Sequence, residues 1–235
     1  AGGLVKAGKA DAFVTMGSTG AALAVATMSM GMLDGIDRPA VGGPIIGLAP
    51  NTLVIDLGTN IDCRPTQLLG FAIVGMMFAK IVFEISNPRI GLLSVGSEEG
   101  KGGKQVKETY ELLSASNLNF IGNVEGWDIP AGKADVVVCD GAVGNILMKY
   151  TEGLGVELSN YLGTKVGQGF SKESLDDFKK EVLQITNPAE SSGGGPIFGV
   201  DGVAVVGHGR FRASAVSRAV ETAMSVVKME YIDKL

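Results

Sequence analysis

One unit recurs along this chain and limits its fold more than any other feature: a short apolar run, then a glycine-rich loop, then a helical stretch. It occurs first at Ala12–Thr15, followed by Gly17, Ser18, Thr19 and Gly20 and a small-residue helix over residues 21 to about 32. The second copy is the run 52–55, the loop Asp56-Leu57-Gly58-Thr59-Asn60 and a helix opened by Pro65, where proline's fixed φ suits a first helical position. The third is Ile90–Leu93, a loop over 94–103, the helix Lys104–Ser114 and a short strand over 119–121. The fourth is the run 135–139, the loop 140–145 and a helix to about Leu162. The last is Val203–Val206, then Gly207-His208-Gly209-Arg210 and a helix over 213–229.

These runs are continuously apolar rather than alternating, the pattern of strands buried on both faces. Strands that alternate with helices imply right-handed crossovers and a parallel sheet. The expected fold is therefore α/β, three-layered, with a mostly parallel sheet and helices on both faces. Ligands of such sheets bind beyond the carboxyl ends of the strands, so the glycine-rich loops are expected together along one edge. One domain is expected over residues 1–235, with a helical excursion at about 150–190.

The 35 glycines among 235 residues follow no collagen period and so read as functional turns. A net charge of −5 argues against a nucleic-acid partner, because phosphate backbones select basic faces. Cys63 and Cys139 form no CxxC pair and no zinc spacing, and read as reduced thiols of a cytosolic protein. The start of the chain shows no signal-peptide pattern. The apolar stretch 68–83 carries Lys80 and is short for a bilayer. It reads as a buried core or interface helix, with weak peripheral membrane contact left open. Residues 171–190 form a charged amphipathic helix with Ser171 as N-cap, either a solvated excursion or a partner-binding or membrane-touching hairpin. Residues 191–196 read as a loop in preference to a linker.

The loop Gly17–Gly20 precedes a helix, whose free N–H groups and positive dipole end suit an anion; taken alone, it reads better as tight strand–helix packing. It matches neither GxGxxG nor GxxxxGK[ST], which argues against a nicotinamide enzyme. Lys101, between Gly100 and Gly102, can aim its ammonium at a phosphate or at developing negative charge. Asn145 is a helix N-cap or an oxyanion donor. His208, the one histidine, is flanked by two glycines, with Arg210 and Arg212 nearby. No Ser-His-Asp set is selected by spacing. Asp56, Asp62 and Asp140 form no compact cluster that forces a metal, and neither a metal nor a cofactor is expected.

Taken together, the segments ADAFVTMGSTGA, GIDRPA, VIDLGTNIDCRP, RIGLLSVGSEEGKG, NFIGNVEG, ADVVVCDGAVGN and GHG resemble the bacterial phosphate acyltransferases of phospholipid synthesis, in the same order and over nearly the whole chain. The resemblance implies a fold similar to phosphotransacetylases and isocitrate-type dehydrogenases. It implies transfer of a fatty acyl group from acyl carrier protein to inorganic phosphate, in a cytoplasmic homodimer. Lys101 and Asn145 match the positions that the family associates with phosphate and catalysis. Gly17, Ser18, Thr19, Gly20, Asp56, Gly58, Asn60, Gly144 and His208 are the matching candidates for phosphate or substrate binding. The implied chemistry is direct attack of phosphate on a thioester, whose thiolate leaving group (thiol pKa about 8.5) requires little acid assistance. Members commonly carry Asn where Ser18 stands and Ser where Arg210 stands. They also begin with further strands and a Met-Gly-Gly-Asp stretch, so a shortened N-terminus starting inside a helix over 4–9 is expected. A coenzyme A-dependent phosphotransacetylase and a non-catalytic scaffold for acyl carrier protein or a membrane are the alternatives.

Overall fold

In the computed structural model, which describes residues 1–166, 169–209, 211–229 and 231–232, the strands are β1 (Ala12–Thr15), β2 (Ala40–Gly43), β3 (Leu53–Ile55), β4 (Ile90–Leu93), β5 (Phe120–Val124), β6 (Val136–Val138), β7 (Gly195–Phe198) and β8 (Val203–Val206). The helices are α1 (Gly2–Lys6), α2 (Thr19–Met30), α3 (Pro65–Val82), α4 (Lys104–Ser114), α5 (Gly141–Tyr161), α6 (Lys172–Thr186), α7 (Pro188–Ser192) and α8 (Ala213–Lys228). All eight strands join one sheet in the order β1-β8-β7-β2-β3-β6-β4-β5.

The sheet has two parallel parts. β1 runs parallel to β8, and β3, β6, β4 and β5 run parallel to one another. Between them lie three antiparallel pairings, β8 with β7, β7 with β2 and β2 with β3. Three reversals invert direction, so β1 and β8 point opposite to β3, β6, β4 and β5. The expectation that every glycine-rich loop shares one edge is thereby corrected. The loops after β3, β4 and β6 lie at one edge, and those after β1 and β8 leave strands of the other sense. The sequence reading lacked β2 and β7, the two antiparallel strands. Residues 191–196 are likewise no simple loop, since α7 ends at Ser192 and β7 begins at Gly195.

Apolar residues fill both sides of the sheet, which makes three layers. Leu53, Ile55, Val136 and Val138 pack with Phe71 and Phe78 of α3, Leu113 of α4 and Ala219 and Ala223 of α8. The intervening Val54 and Val137 face the other way, with Leu147 and Met148 of α5 packed against their cluster. Phe13, Ala204 and Val206 meet Ala26 and Met30 of α2 on a third cluster. Phe78, Phe198 and Tyr231 pack edge to face, and the Tyr231 hydroxyl donates to the Val74 carbonyl at 3.1 Å. Each fully buried side chain of this size contributes about 1.5–3 kcal/mol. Helix α3 is apolar and 18 residues long, sufficient by composition to cross a bilayer, but half of it is buried in the protein, as the core-helix reading expected. It starts at Pro65, and the Gln67 side chain accepts from Arg64 N–H at 2.8 Å to close its first turn.

Candidate active site

Strands β3, β6 and β4 are neighbours of the same sense, so the segments that follow them converge at one sheet edge. These segments carry Asp56, Lys101 and Asn145. The loop after β3 is built around the Asp56 carboxylate, which is fully buried. It accepts from Gly58 N–H at 3.2 Å, Thr59 N–H at 3.1 Å, Asn60 N–H at 2.7 Å, the Thr59 hydroxyl at 2.6 Å and the Asn60 amide at 2.9 Å. Charge-assisted bonds of this kind are among the stronger ones in proteins. Asp56 was expected as a phosphate or substrate contact. Its oxygens instead face inward and are saturated by their own loop, so the residue organises the loop. Asn60 is committed in the same way, with its amide also donating to the Pro39 carbonyl at 2.8 Å.

Helix α5 begins at Gly141, and Asp140 is its N-cap, accepting from Ala142 N–H at 2.8 Å. The N-cap reading of Asn145 is therefore corrected: Asn145 lies more than a turn inside the first helical residues. Gly144 is a packing glycine, since a Cβ there would run into the Asp56 carbonyl oxygen. That close approach seats Asn145 against Gly58, whose φ of +120° and crowding by the Asn145 side chain leave room for glycine alone. Among the described residues no hydrogen bond occupies the half-buried Asn145 amide.

Asp140 also accepts from Cys63 N–H at 2.8 Å and from the Gln105 amide at 3.3 Å, which ties the β3 loop, α4 and α5 together. Burial alone would raise its carboxyl, but the bonds from Cys63, Ala142 and Gln105 hold it below the ordinary carboxylate value. Burial, with the Asp140 charge second, pushes the Cys63 thiol up to about 12. Burial pushes the Cys139 thiol up as well. Both thiols are therefore protonated and inert at neutral pH.

Lys101 lies on the exposed loop after β4, with its stem against Gly96. Among the described residues its ammonium has no ion pair. The first glycine-rich loop stands apart on the other strand sense. Ser18 is the N-cap of α2 but makes no side-chain cap bond, and Gly17 N–H donates to the Thr15 hydroxyl at 3.2 Å. A cavity of about 80 Å³ is lined by Thr19, Gly207 and His208 together with Leu57 of the β3 loop and Met148 of α5. Gly17, Ser18, Gly20, Lys101 and Asn145 do not line it. The His208 ring packs edge-on to Phe211 at 5.4 Å. Arg210 lies outside the described residues. Gln105 and Thr59 were missed as site-building residues. The first is one of many polar residues on an amphipathic helix, and the second follows a glycine in a loop, so neither has a distinguishing sequence signal.

The chain matches the family described as "Fatty acid synthesis protein" over residues 1–234. It is 42% identical to a phosphate acyltransferase of Elusimicrobium minutum, over 99% of this chain and 69% of the relative. It is 40% identical to a phosphate acyltransferase of Aquifex aeolicus, over 100% of this chain and 71% of the relative. The chain thus spans about two thirds of the length of these relatives. In fold it is similar to a phosphotransacetylase of Streptococcus pyogenes, at a TM-score of 0.63 and 20% identity, over 97% of this chain and 65% of the other. A branched-chain phosphotransacylase of Enterococcus faecalis is similar at a TM-score of 0.58 and 19% identity, over 96% of this chain and 77% of the other. The chain belongs to the phosphate acyltransferase family, and is an acyltransferase whose acyl acceptor is phosphate.

Proposed function

We propose that the acyl donor is a fatty acyl thioester of acyl carrier protein, and that the product is the acyl phosphate used in phospholipid synthesis. The observation that carries the site assignment is that Lys101 and Asn145, on segments after adjacent strands, hold uncommitted donors. Around them the carboxylates of Asp56 and Asp140 are occupied by internal bonds. Lys101 and backbone N–H groups hold the phosphate dianion. A phosphate oxygen attacks the thioester carbonyl carbon, and the carbonyl electrons move to oxygen. Asn145 and loop amides stabilise that oxyanion. Its collapse expels the thiolate, which takes a proton from solvent. Thr19 and His208, which line the cavity, contact the substrate there, with Gly17, Ser18 and Gly20 shaping the turn into α2, while Gly58, Asn60 and Gly144 act through loop shape.

Replacing Lys101 with alanine tests this reading. The expected loss in turnover is about 10²–10³-fold, with the fold retained. Wild-type turnover would remove Lys101 from the chemistry. Comparing long-chain acyl carrier protein with acetyl coenzyme A as donor separates the proposed reaction from a coenzyme A-dependent phosphotransacetylase.

The working unit we propose is a homodimer. Its support is a solvent-facing apolar stripe on α5, where Ile146, Tyr150, Leu154, Leu158 and Tyr161 recur at three- and four-residue spacing and are exposed, larger than a lone surface side chain. A cytoplasmic location with peripheral membrane contact fits two buried free thiols and the fatty acyl product.

A further inference from the structure

The loop that carries Lys101 is exposed from Ser97 to Lys101 and has no regular structure. An exposed loop without anchors samples many conformations, and a cation at its end would lose its aim. Among the described residues, one hydrogen bond ties residues 97–101 to the sheet. Its donor is the Asn123 side-chain amide, which reaches the Glu98 carbonyl oxygen at 2.9 Å. The same carbonyl accepts from Lys101 N–H at 3.0 Å. One backbone oxygen therefore joins the sheet to the lysine.

Asn123 is suited to be the fixed end of this connection. It lies in β5, is 3% exposed, and pairs in register with Leu92 of β4. The next pair in register is Leu93 with Val124, and Ser94, just past β4, donates its N–H to the Val124 carbonyl at 2.9 Å. The strand reads Phe-Ile-Gly-Asn-Val, and a buried asparagine is a costly choice in such a run unless its polar atoms have a task. Only its amide nitrogen is used; its Oδ1, like the Ser94 hydroxyl, is buried without a partner. A residue kept merely for packing would be apolar there.

We propose that Asn123 is a positioning residue for acyl transfer, holding the Glu98 carbonyl and through it the Lys101 backbone so that the ammonium stays at the phosphate. This rests on the catalytic reading of Lys101. It assigns a role to the NFIGNVEG segment that the chemistry itself leaves unused.

The test is a double-mutant cycle on the full chain, with phosphate varied against a long-chain acyl thioester of acyl carrier protein. Asn123→Ala is expected to lower kcat/KM for phosphate about 10–100-fold, the scale of a catalytic group displaced by about an ångström. In a Lys101→Ala background the same change should cost nothing further, because the two residues act as one unit. Losses that multiply, or an Asn123→Ala enzyme with unchanged kinetics, overturn the proposal. Wild-type turnover in Lys101→Ala alone would instead overturn the lysine reading on which it stands. If Asn123→Ala does not fold, Asn123→Asp decides. Its carboxyl can donate to Glu98 only when protonated, so its activity relative to wild type should rise as pH is lowered from about 8 to about 5.5. A ratio that is flat with pH counts against the proposal.

Discussion

Asp135 and Arg89 show how a single pairing governs the response to acid. Burial would raise the Asp135 carboxyl, but hydrogen bonds from the Arg89 guanidinium and N–H hold it below the ordinary value. The contacts are 2.8 Å from the guanidinium and 2.7 Å from the backbone. A depressed carboxyl contributes stability that is complete above its unfolded value of 3.8 and is lost as pH falls through the folded one. Asp140 has the same sign. Asp135→Asn should therefore lower stability at pH 7 by about 1–2 kcal/mol and flatten its acid dependence, as read by urea titrations at pH 7 and pH 3. Cys63 has the opposite sign, since its folded value is raised from 9.0 to about 12. Its contribution is whole below pH 9 and disappears as pH rises towards 12. A thiol reagent at pH 8 should label neither cysteine in the folded protein and both in denaturant.

The packing of α5 on the β3 loop makes a prediction for an element. Gly144→Ala places a methyl group against the Asp56 carbonyl, so the helix must withdraw. Overpacking of this kind costs about 1–3 kcal/mol, measurable as a lowered melting temperature, and turnover should fall with it because Asn145 moves away from Gly58. On the next helix, Ser171 caps α6 by accepting from Ser174 N–H at 3.2 Å. Ser171→Ala should cost about 1 kcal/mol and leave turnover unchanged.

These two elements also show what sequence can and cannot carry. Ser171 was legible as a cap because its residue type and the charged helix after it announce the role. Strands β1, β4 and β8 were legible with their bounds because continuous apolar runs have few other readings. Strands β2 and β7 were not, since Ala-Val-Gly-Gly and Gly-Pro-Ile-Phe carry the residues that usually mark loops. Missing them concealed the reversals and placed all loops at one edge. Asp56 was read as a phosphate or substrate contact, and residue type does not reveal that its oxygens are already saturated by five groups of its own loop. The start of α5 was placed late because Gly141 and Gly144 mimic a loop, when they are there for close contact.

For the whole molecule, the two parallel parts divide the proposed site. In the proposed site, Lys101 and Asn145 follow strands of the larger one, and Thr19 and His208 follow strands of the smaller one. Anything that shifts one part against the other changes the site. A second copy packed on α5, the helix that carries Asn145, would steady it. Ile146 and Tyr150 are 66% and 68% exposed on that helix, and charges there should abolish the association. Sedimentation of Ile146→Glu/Tyr150→Glu is expected to show a monomer where the parent chain shows a dimer. A parent chain that sediments as a monomer would sink the dimer proposal.

The pairing of β1 with β8 has a consequence in time. Among the described strands β1 pairs with β8, and the Lys6–Asp201 ion pair nearby spans 195 residues of sequence. At a synthesis rate of about 5–20 residues per second, that interval is about 10–40 s on the ribosome. Throughout it the larger part of the sheet can assemble from β3 to β6, while β1 waits for β8. Thr19 and the loop before it, which follow β1, therefore reach their final setting only after β8 has been made, long after their own synthesis.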